Sequence, residues 1–106
     1  MPYDGLSLVG QTALVTGSGR GIGAALAVGL AQAGATVAVS DRPDRLDLAE
    51  ETKAKVEAEG AKSGVYPLDV LDLPSIPKAI DQVVKDFGRL DILVNNAGIR
   101  IPKPAL

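Results

Sequence analysis

The stretch Thr12-Ala13-Leu14-Val15-Thr16-Gly17-Ser18-Gly19-Arg20-Gly21-Ile22-Gly23-Ala24-Ala25-Leu26-Ala27 decides the fold. An apolar, partly β-branched run gives way to glycine at every second position and then to small apolar residues. That pattern is a strand, a tight turn and the start of a helix. The glycines answer three physical needs. The chain must reverse at the strand end, the backbone must approach a ligand without a Cβ in the way, and the helix must pack closely on the strand. The N–H groups of the first helical turn have no carbonyl one turn back. With the helix dipole behind them they face an anion such as a pyrophosphate. The plainer alternative is a glycine-rich turn that only redirects the chain, since glycine triplets are common.

Working outward, apolar periodicity alternates between short strand-like runs and longer helical ones. Residues 12–16 read as the first strand. Residues 22–33 read as a helix with Ile22, Leu26, Leu30 and Ala33 on one stripe, ending near Gly34. Residues 35–40 form a second strand, apolar almost throughout, as a strand buried on both faces is. Residues 44–59 are a charged helix with Asp44 as its N-cap and Gly60 as its stop. Residues 64–68 form a short third strand whose Pro67 favours an edge position.

A third helix over 73–87 carries Ile76, Ile80, Val83, Val84 and Phe87 on one face, with Pro74 and Pro77 in its first turns and Gly88 as its stop. Residues 90–94 are the fourth strand, and Asn95-Asn96-Ala97-Gly98 follows. The β-α-β-α-β-α-β alternation predicts an α/β fold with a parallel sheet and right-handed crossovers. Wound as a dinucleotide-binding half, the strand order is 3-2-1-4. The switch point then lies between strands 1 and 4, where both the glycine loop and the Asn-Asn-Ala-Gly turn sit.

Bulk composition narrows the rest. A chain of 106 residues has room for one small domain. A net charge of −2 without a basic cluster leaves no electrostatic footprint for nucleic acid or an anionic membrane. No apolar run is long enough to span a bilayer and no basic, then apolar, leader opens the chain, so a soluble cytoplasmic protein is expected. With no Cys and no His, disulfides, thiolate chemistry and the usual metal ligands and general base are absent from the sequence.

Three further constellations carry chemistry. Asp41 ends the second strand, where a carboxylate can accept both ribose hydroxyls of an adenosine and repel a 2′-phosphate. The alternative is an Asp that merely turns the chain. Arg20 and Arg42 stand close by in sequence and could accommodate a 2′-phosphate, so NADP remains the secondary choice behind NAD. Asp69 could accept from an adenine amino group while Val70 packs on the ring; the alternative makes Asp69 or Asp72 the cap of the third helix. Asn95 and Asn96 can tie neighbouring strands through backbone hydrogen bonds, and the small Ala97 and Gly98 leave room for a ligand.

Taken together, these residues resemble the short-chain dehydrogenase/reductase family. The likeness is to its Thr-Gly-x-x-x-Gly-x-Gly loop, here Thr16 to Gly23, and to its Asn-Asn-Ala-Gly turn, here Asn95 to Gly98. The resemblance implies a Rossmann-type doubly wound sheet, here its N-terminal half, and one NAD(P)-binding domain over residues 1–106, incomplete at its C-terminus. It implies a nicotinamide dinucleotide as ligand and an alcohol/carbonyl substrate in the parent enzyme. The cofactor-binding set it implies is Thr16, Gly17, Ser18, Arg20, Gly21, Ile22, Gly23, Asp41, Arg42, Asp69, Val70, Asn95, Asn96, Ala97 and Gly98, with Ile22 and the Asn95–Gly98 turn toward the nicotinamide side.

The departure is in the chemistry. The family uses a Tyr with a Lys four residues on, plus a Ser, in the later part of a longer chain. That Lys lowers the Tyr pKa so the phenol can act as base. Here the tyrosines are Tyr3 and Tyr66, and four residues beyond them stand Ser7 and Val70. The expectation is therefore the cofactor-binding part of an oxidoreductase, inactive alone, that works as a homo-oligomer or with a complementing C-terminal half. The alternatives are a stand-alone dinucleotide-binding or sensor module, or one half of a split enzyme.

Overall fold

The computed structural model describes residues 7–96. Within them run β1 (Thr12–Val15), α1 (Gly21–Gln32), β2 (Thr36–Asp41), α2 (Leu46–Ala58), β3 (Ser63–Pro67), α3 (Ser75–Phe87) and β4 (Ile92–Val94). Every strand pairing is parallel and the order is β3-β2-β1-β4, as the sequence predicts. Val15 pairs with Val39 on one side and with Val94 on the other, so the C-terminal ends of three strands lie level. Pro67 falls at the end of the edge strand β3, where its missing N–H costs no ladder bond. Among the described residues no helix is long and apolar enough to cross a membrane.

Strand side chains alternate between the faces of the sheet, and each face has its own cover. Val15, Val37 and Val39 point toward α1 and α2, where Ala27, Ala31, Ala49 and Val56 close over them. Leu14 and Ala38 point the other way, toward Ala79 and Val83 of α3, with Tyr66 and Leu68 completing that layer. Helices on both faces make the sheet doubly wound, the Rossmann-type arrangement.

Three local expectations are corrected. Helix α1 does not centre its buried face on the stripe Ile22, Leu26, Leu30, Ala33; it buries Gly23, Ala27 and Ala31, with Leu30 packed partly buried beside them and Ile22 74% and Leu26 39% exposed. The helix is apolar on nearly every side, so periodicity could not select a face, and the small residues win because they let it lie close on the sheet. Asp44 does not cap α2. A 3₁₀ turn over Pro43–Arg45 precedes that helix, and the Asp44 carboxylate instead accepts from Arg42 at 3.3 Å. Helix α3 starts at Ser75 rather than at residue 73, with Pro74 just ahead of it. Its end is as expected: Gly88 turns left-handed (φ 82°) and its N–H donates to the Val84 carbonyl at 2.7 Å.

At the start of β4 a side chain extends the sheet. Asp91 Oδ2 accepts from the Thr12 N–H at 2.8 Å, while the Asp91 N–H donates to the Thr12 carbonyl at 2.9 Å. The Arg89 guanidinium grips the same carboxylate at 2.8 Å, and together with the Thr12 N–H it holds the Asp91 pKa below its ordinary value.

Two glycines of α1 test this packing in opposite directions. A Cβ at Gly23 would strike the Gly17 carbonyl and the Asn96 amide, whereas one at Gly29 would meet open space. Gly23→Ala should therefore destabilise the chain by about 1–3 kcal/mol, and Gly29→Ala should stabilise it by about 0.5–1 kcal/mol through helix propensity. Urea denaturation of the two variants decides it; a harmless Gly23→Ala would contradict the close seat of α1.

Candidate functional site

The chain leaving β1, β2, β3 and β4 borders one cleft of about 470 Å³ at the level strand ends. Eight residues singled out in the sequence line it: Gly17, Arg20, Gly21, Asp41, Arg42, Asp69, Val70 and Asn96. Arg45, Leu68 and Leu71 join them without having been singled out. Thr16 and Asn95 border a neighbouring, mostly apolar hollow of about 270 Å³ on the α3 side, shared with Val70, Ile80 and Leu93. Ala97 and Gly98 lie outside the described residues.

The glycines of the loop divide the work among them. Gly17 and Gly21 take left-handed backbone conformations, with φ of 62° and 63°. A Cβ at Gly21 would meet nothing within 4 Å, and Gly21 borders the cleft. Gly23 is a packing position, as described above. Gly19, quoted in the motif but not singled out as a site residue, is wedged: a Cβ there would stand 2.6 Å from Asp41 Oδ2 and 3.0 Å from Leu48 Cβ.

Asp41 is only 5% exposed, and its charge is met by backbone donors. Oδ2 accepts from the Gly19 N–H at 3.1 Å and Oδ1 from the Arg42 N–H at 2.8 Å. Each carboxylate oxygen thus has one backbone donor. The Arg42 guanidinium is turned to Asp44, an exposed pair at 3.3 Å. The Asp69 carboxylate accepts from the Leu71 N–H at 2.9 Å, an Asx turn, and caps no helix. Ser75 Oγ holds the same corner, accepting from the Asp69 N–H at 3.0 Å and donating to its carbonyl at 2.8 Å.

Ser18 faces away from the cleft. Its hydroxyl is fully buried, donates to the Val15 carbonyl at 2.8 Å and accepts from the Ser40 N–H at 2.9 Å. On the opposite side of β1, Thr16 Oγ1 accepts from the Asn96 N–H at 2.9 Å, and Asn96 Nδ2 donates to the Gly17 carbonyl at 3.3 Å. An amide that ties neighbouring strand ends is what the sequence suggested for this turn. Ile22 stands exposed at the head of α1 and is not part of the cleft lining.

Tyr66 is excluded as a proton acceptor. Burial, then a 2.6 Å hydrogen bond to the Asp86 carboxylate, pushes its phenol above its ordinary pKa. A general base near neutral pH needs the opposite shift.

The short chain dehydrogenase family model matches residues 11–106. General stress protein 39 of Bacillus subtilis is 43% identical over 99 residues, covering 93% of this chain and 34% of the relative. A crystal structure of hydroxysteroid dehydrogenase from Escherichia coli superimposes with a TM-score of 0.85 at 36% identity, covering 96% of this chain and 43% of that one. The structure of 7α-hydroxysteroid dehydrogenase complexed with NADH and 7-oxo glycochenodeoxycholic acid does so at 0.84 and 36% identity, over 93% and 38%. The chain thus spans about a third of the length of the curated relatives it matches.

The inward Ser18 hydroxyl has a measurable consequence. Ser18→Ala leaves the buried Ser40 N–H without its 2.9 Å partner and should destabilise the chain by about 1–3 kcal/mol. Thermal and urea unfolding measure it; a stability unchanged from the parent chain would mean this hydroxyl is dispensable for joining β1 to β2.

Proposed function

Since this chain belongs to the short-chain dehydrogenase family, we propose that its cleft holds a nicotinamide dinucleotide, NAD in preference to NADP. In this reading the chain is the cofactor-binding part of an oxidoreductase that interconverts an alcohol and a carbonyl. The observation that carries the proposal is the convergence of the uncrowded, left-handed Gly21 and the buried carboxylate of Asp41 on one cleft.

The residues fit such a ligand part by part. The N–H groups at the head of α1 and the bare backbone of Gly17 and Gly21 would receive the pyrophosphate. Asp41 has lone pairs left over for ribose hydroxyls, and its charge disfavours a 2′-phosphate. Asp69 and Val70 would border the adenine, and the turn that begins at Asn95 would border the nicotinamide side. The dinucleotide, when bound, supplies or accepts the hydride. The chain's own residues bind and orient it. None of them supplies the proton-transferring Tyr-Lys pair, so the catalytic groups come from polypeptide outside these 106 residues and the chain alone does not turn over.

Asp41 has two duties that substitutions can separate, because it also holds the Gly19 N–H. NADH should bind more tightly than NADPH by about tenfold, or about 1.4 kcal/mol. Asp41→Asn keeps an acceptor for Gly19 and should narrow that gap, Asp41→Ala should also weaken both ligands, and Gly21→Val should abolish binding of either. Calorimetric titration decides it. Equal affinities of the unaltered chain for the two dinucleotides would sink the NAD assignment.

A complementing half is favoured over a stand-alone sensor by the outer side of β4. Among the described residues no strand pairs there, and Leu93 is 52% exposed. An open strand edge beside apolar surface is a template for association. Sedimentation at micromolar concentration should find the 106-residue chain self-associated. A stable, well-folded monomer would favour the stand-alone dinucleotide binder.

A further inference from the structure

We infer that Thr52, in the middle of α2, is a positioning residue for the glycine loop. By holding the Gly19 carbonyl, it sets the direction of the Gly19–Arg20 peptide and so the loop's grip on a phosphate-bearing ligand. The inference rests on the reading of the cleft as a dinucleotide site.

Thr52 is 1% exposed and does not line the cleft, yet its Oγ1 donates to the Gly19 carbonyl at 3.2 Å, 33 residues back in the chain. A helical threonine ordinarily returns its hydroxyl to the carbonyl one turn behind it. This one spends it on another element. The other polar group of Gly19 is also taken, its N–H by Asp41 Oδ2 at 3.1 Å. One peptide segment is therefore held from two directions, by the end of β2 and by the body of α2. The close fit of Gly19 against Asp41, Leu48 and the Ala49 backbone keeps it within reach of both.

The consequence lies in the next N–H. Across a trans peptide the C=O and N–H point in opposite directions. With the Gly19 carbonyl drawn to α2, the Arg20 N–H is turned away from α2, and Arg20 itself lines the cleft. Without the threonine nothing else described here holds that carbonyl, and left-handed Gly21 beyond it gives the segment little resistance to rotation. A valine would fill the same volume and remove only the donor.

Three variants test this by titration of the 106-residue chain with NADH, ADP and adenosine, at a temperature where all are folded. Thr52→Val should weaken NADH and ADP by about threefold to tenfold while leaving adenosine, which has no phosphate, within about twofold. Thr52→Ser, which keeps the hydroxyl, should restore both. Val56→Ala, buried one turn along the same helix and remote from the loop, should lower the melting temperature yet leave all three affinities at the parent values. Unchanged NADH and ADP affinity in Thr52→Val overturns the inference. So does an equal loss for adenosine, a failure of Thr52→Ser to restore binding, or an equal loss in Val56→Ala. If the unaltered chain binds none of the three, the dinucleotide reading itself falls and this inference with it.

Discussion

The attachment of the end of β1 to both of its neighbours is the constraint on which the rest of the structure depends. Two hydroxyls flank that strand end. Ser18 on one side is bonded to Val15 and Ser40, and Thr16 on the other is bonded to Asn96. Each replaces a strand-to-strand bond at the point where the parallel ladder stops. If either attachment slipped by a residue, the ends of β2 and β4 would no longer lie level with that of β1. Asp41 and Asn96 would then leave the cleft that Gly17 and Gly21 open. A parallel ladder, whose register has no hairpin to set it, needs such side-chain fixtures more than an antiparallel one does.

The strand order was legible because it follows from few alternatives. Four apolar runs separated by helical segments leave parallel pairing and right-handed crossovers as the economical solution, and Pro67 marks the edge. What stayed hidden was of two kinds. The buried face of α1 could not be read, since a helix apolar all round carries no phase, and Ala27 and Ala31 rather than Leu26 turned inward. Contacts between distant segments had no local signature either. Nothing near Thr52 announces that its hydroxyl belongs to Gly19, and a serine in a glycine loop reads as facing a ligand until Ser40 is seen to hold it.

The glycine loop shows why one motif letter can stand for different physical demands. At Gly21 the demand is positive φ and empty space. At Gly19 and Gly23 it is collision with a carboxylate, a carbonyl and an amide that the fold has placed there for other reasons. In the proposed reading the first kind of glycine would serve a ligand, and the second serves the scaffold. Substitutions at the two kinds therefore read out on different scales, affinity for one and stability for the other.

Asp41 joins those two scales. Its carboxylate is buried at the end of β2 and accepts from the Gly19 N–H at 3.1 Å and the Arg42 N–H at 2.8 Å. The same bonds draw the glycine loop onto the end of β2. The charge that would select among ligands is thus also a structural staple of the loop that would hold them. Asparagine can keep the Gly19 bond through its one carbonyl oxygen but loses the Arg42 bond and the charge, and alanine keeps none of them. That ordering follows from hydrogen-bond chemistry alone, and it is why the charge and the loop geometry at this strand end can be varied one at a time.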